Sequence, residues 1–207
     1  MNTRLVWNFE IKDQNPINFD DLKDNPEELR WEARYFWPRD AIIVLNGLDA
    51  RFLLLSNYEV KQRKDNYSVL ADLNFNLKQR LMQLFYKPLL KEVNLLHGYG
   101  KKINLTDYAS ELVLPGSNLR SSELLKLLAD NAQEVEVEKE ALIYKLPTEP
   151  KLKLELARLE VRKKIYFSLC VEGRSQRLVE SIATQLIPNQ KNCDYVSFLK
   201  QVLAHAN

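Results

Sequence analysis

The sequence predicts an α+β chain dominated by an antiparallel sheet, with about eight strands that can close into a barrel and helices that flank it. Three observations carry this. Apolar and polar residues alternate with a period of two through most of the chain, as in strands whose successive side chains point to opposite faces. Helical periodicity is confined to a few stretches, two of them at the C-terminal end. Several of the strand-like segments also place Lys or Arg at alternate positions, so that one face of the sheet is repeatedly cationic.

Taken in order, residues 3–11 (TRLVWNFEI) read as a strand or extended arm, and residues 13–28, with two Asn-Pro steps, as a loop. Residues 30–37 alternate cleanly, with Trp31, Ala33, Tyr35 and Trp37 on one face and Arg30, Glu32, Arg34 and Phe36 on the other; Pro38 ends the strand. The clustered apolar residues of 39–55 predict a helix with a break at Asn46-Gly47. Residues 58–70, 73–80 and 84–89 are the basic strands. Lys61, Arg63, Asp65 and Tyr67 share one face of the first, and Lys78 and Arg80 share one face of the second. Gly98 and Gly100 predict a turn that includes His97, and residues 101–105 a short strand. Residues 118–130, with Ser before a Leu-rich stripe, predict an amphipathic helix. Residues 134–146, 152–161 and 164–171 return to alternation, and the short join at Arg162-Lys163 predicts a hairpin. Residues 175–186 and the stretch capped by Asp194 predict two closing helices.

With 45% hydrophobic and 28% charged residues, the 207-residue chain can bury a core. It reads as an N-terminal arm, 1–29, and one barrel domain, 30–207. Its 30 Lys and Arg nearly balance 28 Asp and Glu, which argues against a dedicated duplex nucleic-acid binder and leaves room for a local basic pocket. Cys170 and Cys193 are too few for a disulfide framework and lack zinc-ligand spacing. No apolar run is long enough to span a membrane and the N-terminus lacks a signal-peptide core, so the expected location is cytoplasmic. With only His97 and His205, catalysis by a His triad or a multi-His metal site is nearly excluded.

If the polar faces point into one barrel, they bring together Arg34, Lys61, Arg63, Lys78, Arg80 and Lys139, with Lys87 if its segment is phased inward. Guanidinium and ammonium groups match phosphate oxygens. The same faces carry three carboxylates, Glu32, Glu155 and Glu172, a hard oxygen set suited to Mg²⁺ or Mn²⁺. Cations along a phosphate chain, with a metal at one end, are what phosphoryl transfer needs. The phase near Lys139 is ambiguous, since a shift of one would turn Glu136, Glu138 and Glu140 inward instead. Each charged face, taken alone, also fits the solvated side of an ordinary sheet.

The order of these segments resembles that of the CYTH domain, the triphosphate tunnel metalloenzymes. Arg30-Trp31-Glu32-Ala33-Arg34 corresponds to the Glu-x-Glu-x-Lys strand that opens the family. Asn8-Phe9-Glu10-Ile11-Lys12 is a rival match placed too far from Asp65. Arg63-Lys64-Asp65-Asn66-Tyr67, Lys78-Gln79-Arg80 and the strand ending at Lys87 follow in order, then Lys139, Glu155 and Cys170-Val171-Glu172. The resemblance spans roughly residues 30–203. It implies a β-tunnel that binds a triphosphate or polyphosphate and hydrolyses it with a divalent metal held by Glu32, Glu155 and Glu172. Two family acids are replaced, by Arg30 and by Cys170. These replacements keep two alternatives open: a degenerate tunnel that binds a phosphorylated ligand or nucleotide without hydrolysis, and a structural scaffold for a protein partner.

Overall fold

The computed structural model describes residues 2–12, 14–94 and 96–205. Positions 1 and 13 of the expected arm, and 95, 206 and 207 of the expected barrel domain, lie outside them. The strands are β1 (Asn2–Val6), β2 (Phe9–Lys12), β3 (Arg30–Pro38), β4 (Ile43–Asn46), β5 (Glu59–Val69), β6 (Asn76–Arg80), β7 (Gln83–Lys87), β8 (Leu89–Val93), β9 (Leu96–Tyr99), β10 (Ile103–Asn104), β11 (Gln133–Lys145), β12 (Lys153–Val161) and β13 (Lys164–Gly173). The helices are α1 (Ser121–Asn131), α2 (Gln176–Leu186) and α3 (Tyr195–Ala204).

The main sheet has ten strands in the order β10-β7-β6-β5-β11-β12-β13-β3-β9-β8, with every pairing antiparallel. It curls on itself: Lys87 of β7 forms an ion pair with Glu32 of β3, although six strand-to-strand steps separate them in that order. The chain also passes from β7 to β8, near one edge and at the other, through Pro88 alone, and the Gly100 amide donates to the Pro88 carbonyl at 3.0 Å. The expected closed barrel of eight strands is therefore replaced by a curled sheet of ten. Its ends are joined by the chain at Pro88 and by that hydrogen bond, and among the described residues no ladder pairs β7 with β8. Proline explains this locally, because it supplies no N–H to continue a ladder.

The two faces of the sheet do different work. On its convex side Trp31, Ala33 and Tyr35 of β3 pack with Leu178, Ile182 and Leu186 of α2, over a small sheet of β1, β2 and β4. Residues expected to form an arm thus contribute Leu5, Phe9, Ile11 and Phe19 to the same core. At another stretch of the sheet α1 covers Leu77 and Tyr86 with Leu124. Helix α3 lies on the concave side. Its Tyr195, Phe198, Leu199 and Val202 meet Val135 and Val137 of β11 and Leu159 and Val161 of β12. Those strand positions share parity with Lys139 and Glu155, so α3 fills one end of the hollow and leaves the charged end unfilled. Phe198 stacks on Phe36 of β3 at a centroid distance of 3.9 Å, which anchors the plug to the opposite wall.

Two sequence expectations fail here. Residues 39–55 are not a helix: Ile43 and Leu45 are buried with a period of two in β4, which runs parallel to β2, and two 3-10 turns follow. Gly47 sits at φ +72°, and a Cβ there would lie 2.7 Å from Ile17, so the backbone turns where a helix would have to continue. Gly98 and His97 are not in a turn either. They lie in β9, where His97 is buried and its Nε2 is 3.2 Å from Glu92. Replacing Phe198 by Ala should lower stability by about 3–5 kcal/mol, the cost of emptying a packed aromatic site. Urea unfolding measures this, and a loss below about 1 kcal/mol would show that α3 is not the plug.

Candidate functional site

The unfilled part of the hollow is a cavity of about 760 Å³. Strand parity brings the expected residues to it. Glu32 and Arg34 come from β3, Lys61 and Arg63 from β5, Lys78 and Arg80 from β6, Lys87 from β7, Lys139 from β11, Glu155 from β12 and Glu172 from β13. The two open questions of phase are answered by neighbours. Lys87 points inward while Tyr86 is buried in the α1 core, and Lys139 points inward while Glu136 and Glu138 pair with exposed Lys64 outside.

Among the described residues the lining contains twelve Lys and Arg but four Glu. The whole chain has 30 Lys and Arg against 28 Asp and Glu, so eighteen basic and twenty-four acidic residues remain elsewhere. A nearly neutral chain has thus gathered a local excess of positive charge in one concavity. Arg30, Lys101, Lys102, Lys153 and Arg174 complete the basic set. Lys153 and Arg174 were legible, since they continue the parity of Glu155 and Glu172. Lys101 and Lys102 lie between strands, where no periodicity could place them.

Internal carboxylates hold the cations in place. Arg34 Nη1 donates to Glu155 at 2.9 Å and to Ser168 Oγ at 3.4 Å, and Lys139 Nζ lies 3.0 Å from Glu155. Lys87 donates to Glu32, whose other oxygen is 4.0 Å from Arg34 Nε. Arg80 forms a fork with Asp65, with bonds of 2.6 and 2.7 Å, and Lys78 reaches the same carboxylate at 3.3 Å. Glu172 is 3.4 Å from Arg30 and 3.5 Å from Lys153. Asp65, absent from the expected site set though read on the right face, is the counter-ion of the β6 cations.

These contacts decide the protonation states. Burial works to raise the Glu32 pKa, but Lys87 and then Arg34 outweigh it and hold the carboxyl at about 2. Burial is likewise outweighed at Glu155, by Lys139 and Arg34, and at Asp65, by Lys78 and Arg80; both stay below the ordinary carboxylate values. Lys78 moves the other way. Its burial lowers the pKa to about 8, with Asp65 offsetting only part of the loss. The buried Cys170 thiol is pushed well up, chiefly by desolvation, and so is held as a thiol at neutral pH.

Arg34 is the residue with unused capacity. It is 8% exposed and lies over the Tyr195 ring at 5.5 Å, and its buried Nε has no hydrogen-bond partner. Its backbone is fixed by Asn192, which accepts from the Arg34 amide at 2.9 Å, and by Cys193, whose amide donates to the Arg34 carbonyl at 2.8 Å. Arg63 has no acidic partner among the described residues, although it faces the same cavity.

The carboxylates do not fit the divalent ion expected of them. Glu32, Glu155 and Glu172 are held by five cations, Arg30, Arg34, Lys87, Lys139 and Lys153, which leaves that cluster with a surplus of positive charge. Unit charges about 4 Å apart interact by about 4 kcal/mol at an effective dielectric constant of about 20, so an incoming Mg²⁺ or Mn²⁺ would be repelled unless Lys or Arg were stripped away. No group of three metal-ligating side chains able to hold an ion occurs among the described residues. Parity showed which face each glutamate occupies but not which cation on the next strand would claim it.

No protein-family model and no curated protein matches the chain. A solved structure from Bacillus halodurans, described as a candidate adenylate cyclase, is similar with 10% identity over 77% of this chain and 93% of that one, at a TM-score of 0.36. A likeness that shallow carries no argument. No helix among the described residues is long and apolar enough to cross a membrane.

The ion pairs make a stability prediction. Glu155→Gln leaves Arg34 and Lys139 without their shared counter-ion and should cost about 3 kcal/mol at neutral pH. The Glu155 pKa is depressed on folding, so its contribution is complete above its ordinary value of 4.5 and is lost as pH falls below it. The stability gap between wild type and variant, from urea unfolding, should therefore narrow in acid. A gap independent of pH would contradict the assignment.

Proposed function

We propose that the cavity binds a chain of phosphates, a triphosphate or short polyphosphate, and acts as a binding site rather than as a metal-assisted hydrolase. The observation that carries this is the excess of Lys and Arg lining one concavity, with Arg63 among them free of any acidic partner among the described residues. A cavity of about 760 Å³ is of ligand size. Its cations come from strands all around the wall, which suits a ligand carrying several charges along its length better than a single carboxylate.

Internal carboxylates such as Glu155 and Asp65 keep the cations from repelling one another in the empty cavity, and the surplus is balanced by the ligand. Arg63 offers donors without first breaking an ion pair. Two aromatic rings of the lining already carry cations: Lys87 lies 3.9 Å from the Tyr99 centroid and Lys102 lies 3.8 Å from that of Phe85. These ring faces are taken from any stacking base, so recognition falls on the phosphates. The ion-paired state of Glu32, Glu155 and Glu172 favours this reading over hydrolysis, since ligand binding needs no carboxylate to be freed.

Calorimetry with tripolyphosphate tests the reading. Arg63→Ala should weaken binding by about 1.5–3 kcal/mol, the worth of a hydrogen bond to a charged group, and should leave stability nearly unchanged. Equal affinity in wild type and variant would count against the site. Binding should also take up protons near pH 8, because an anion favours charged Lys78, whose pKa in the unliganded protein is about 8. Affinity should then fall as pH rises through that value. Binding heats that are the same in buffers of different ionisation enthalpy would show that Lys78 does not meet the ligand.

A further inference from the structure

The geometry points to a tunnel that takes a phosphate chain free of metal, with Mg²⁺ as competitor instead of cofactor; this rests on the reading that the cavity binds phosphates. The arrangement at Glu172 is the starting point. Arg30 Nη1 and Lys153 Nζ lie 3.4 and 3.5 Å from the same Oε1. Glu155 is held between Arg34 and Lys139, and Glu32 by Lys87. Each carboxylate is thus already an acceptor for side-chain cations. A metal bridging protein and ligand would have to displace one of them and then sit among the rest.

The ligand side of the balance runs the same way. A phosphate chain that carries Mg²⁺ has part of its charge cancelled and some of its oxygens occupied. Arg63 would meet fewer free acceptors, and the neighbouring lysines would face a cation. The metal-free chain presents all its oxygens to groups fixed by pairing on the wall behind them. Fixed side-chain charge does here what a divalent ion does in a metal site: it neutralises the phosphates, without the tightly held waters that Mg²⁺ sheds reluctantly. Occupancy would then rise where phosphate chains exceed the divalent ions that bind them.

The test is calorimetric titration of wild-type protein with tripolyphosphate at fixed pH and ionic strength, once in EDTA and once with enough Mg²⁺ to complex the ligand. Affinity should drop at least about tenfold with Mg²⁺, a coupling of ordinary size for linked ligands. Mn²⁺ alone, followed by its electron paramagnetic resonance signal, should not bind. Arg30→Glu adds a carboxylate beside Glu172 and removes a cation, and should cut the Mg²⁺ penalty to less than about threefold. Equal or tighter binding of wild type in Mg²⁺ overturns the inference and leaves the phosphate-binding reading standing. Absence of tripolyphosphate binding in both EDTA and Mg²⁺ overturns both.

Discussion

The structure depends on one electrostatic constraint: cations gathered in a concavity must be balanced by carboxylates on the same wall. Glu155 meets it at the centre of the wall, where one carboxylate joins Arg34 of β3 to Lys139 of β11. Two charges of one sign facing a cavity would repel, and a buried carboxylate alone would be costly to desolvate; each resolves the other. The same logic repeats with Asp65 between Lys78 and Arg80 and with Glu172 between Arg30 and Lys153. Counter-ions shared between two cations, rather than matched one to one, leave the wall organised and still positive.

That wall exists because the sheet curls and because something fills the rest of the hollow. The curl brings β7 against β3, and Pro88 ties the two ends together in one step of chain. Helix α3 then occupies the apolar end, so that inward positions with the same parity divide into two populations. Val135 and Val137 meet α3, while Lys139, farther along the same strand, meets the cavity. Tyr195 marks the border, stacking on Tyr67 while its ring lies beneath the Arg34 guanidinium. A hydrophobic plug and a charged chamber thus share one surface, which is why removing part of the plug should be felt in stability and not in charge.

Much of this was legible from alternation alone. Lys61 and Arg63 share one face of β5 with Tyr67, and Tyr67 pairs with Lys78 of β6, so Lys78 and Arg80 lie on that same face while Leu77 between them turns to the α1 core. What escaped had physical reasons. The stretch 39–55 has apolar clusters that suit a helix in isolation, and only β2 alongside makes Ile43–Asn46 a strand. The stretch around His97 reads as a turn because Gly98 and Gly100 break the pattern, although Gly98 packs in β9 with a Cβ position only 3.0 Å from the Trp31 ring. The metal expectation is hard to weigh from sequence for a different reason: a carboxylate is the same letter whether it awaits Mg²⁺ or accepts from a lysine. Only the distances to Lys87, Lys139 and Arg30 tell the two apart.

The central claim is that the charged chamber holds an anion at Arg63. A crystal soaked in tungstate tests it most directly, because the anion's anomalous signal locates it independently of any assigned chemistry. The account expects a tungstate oxygen within hydrogen-bond distance of Arg63, with Lys61 or Lys78 on its other side. Tungstate bound only on the outer surface, with the chamber free of signal at saturating concentration, would contradict it.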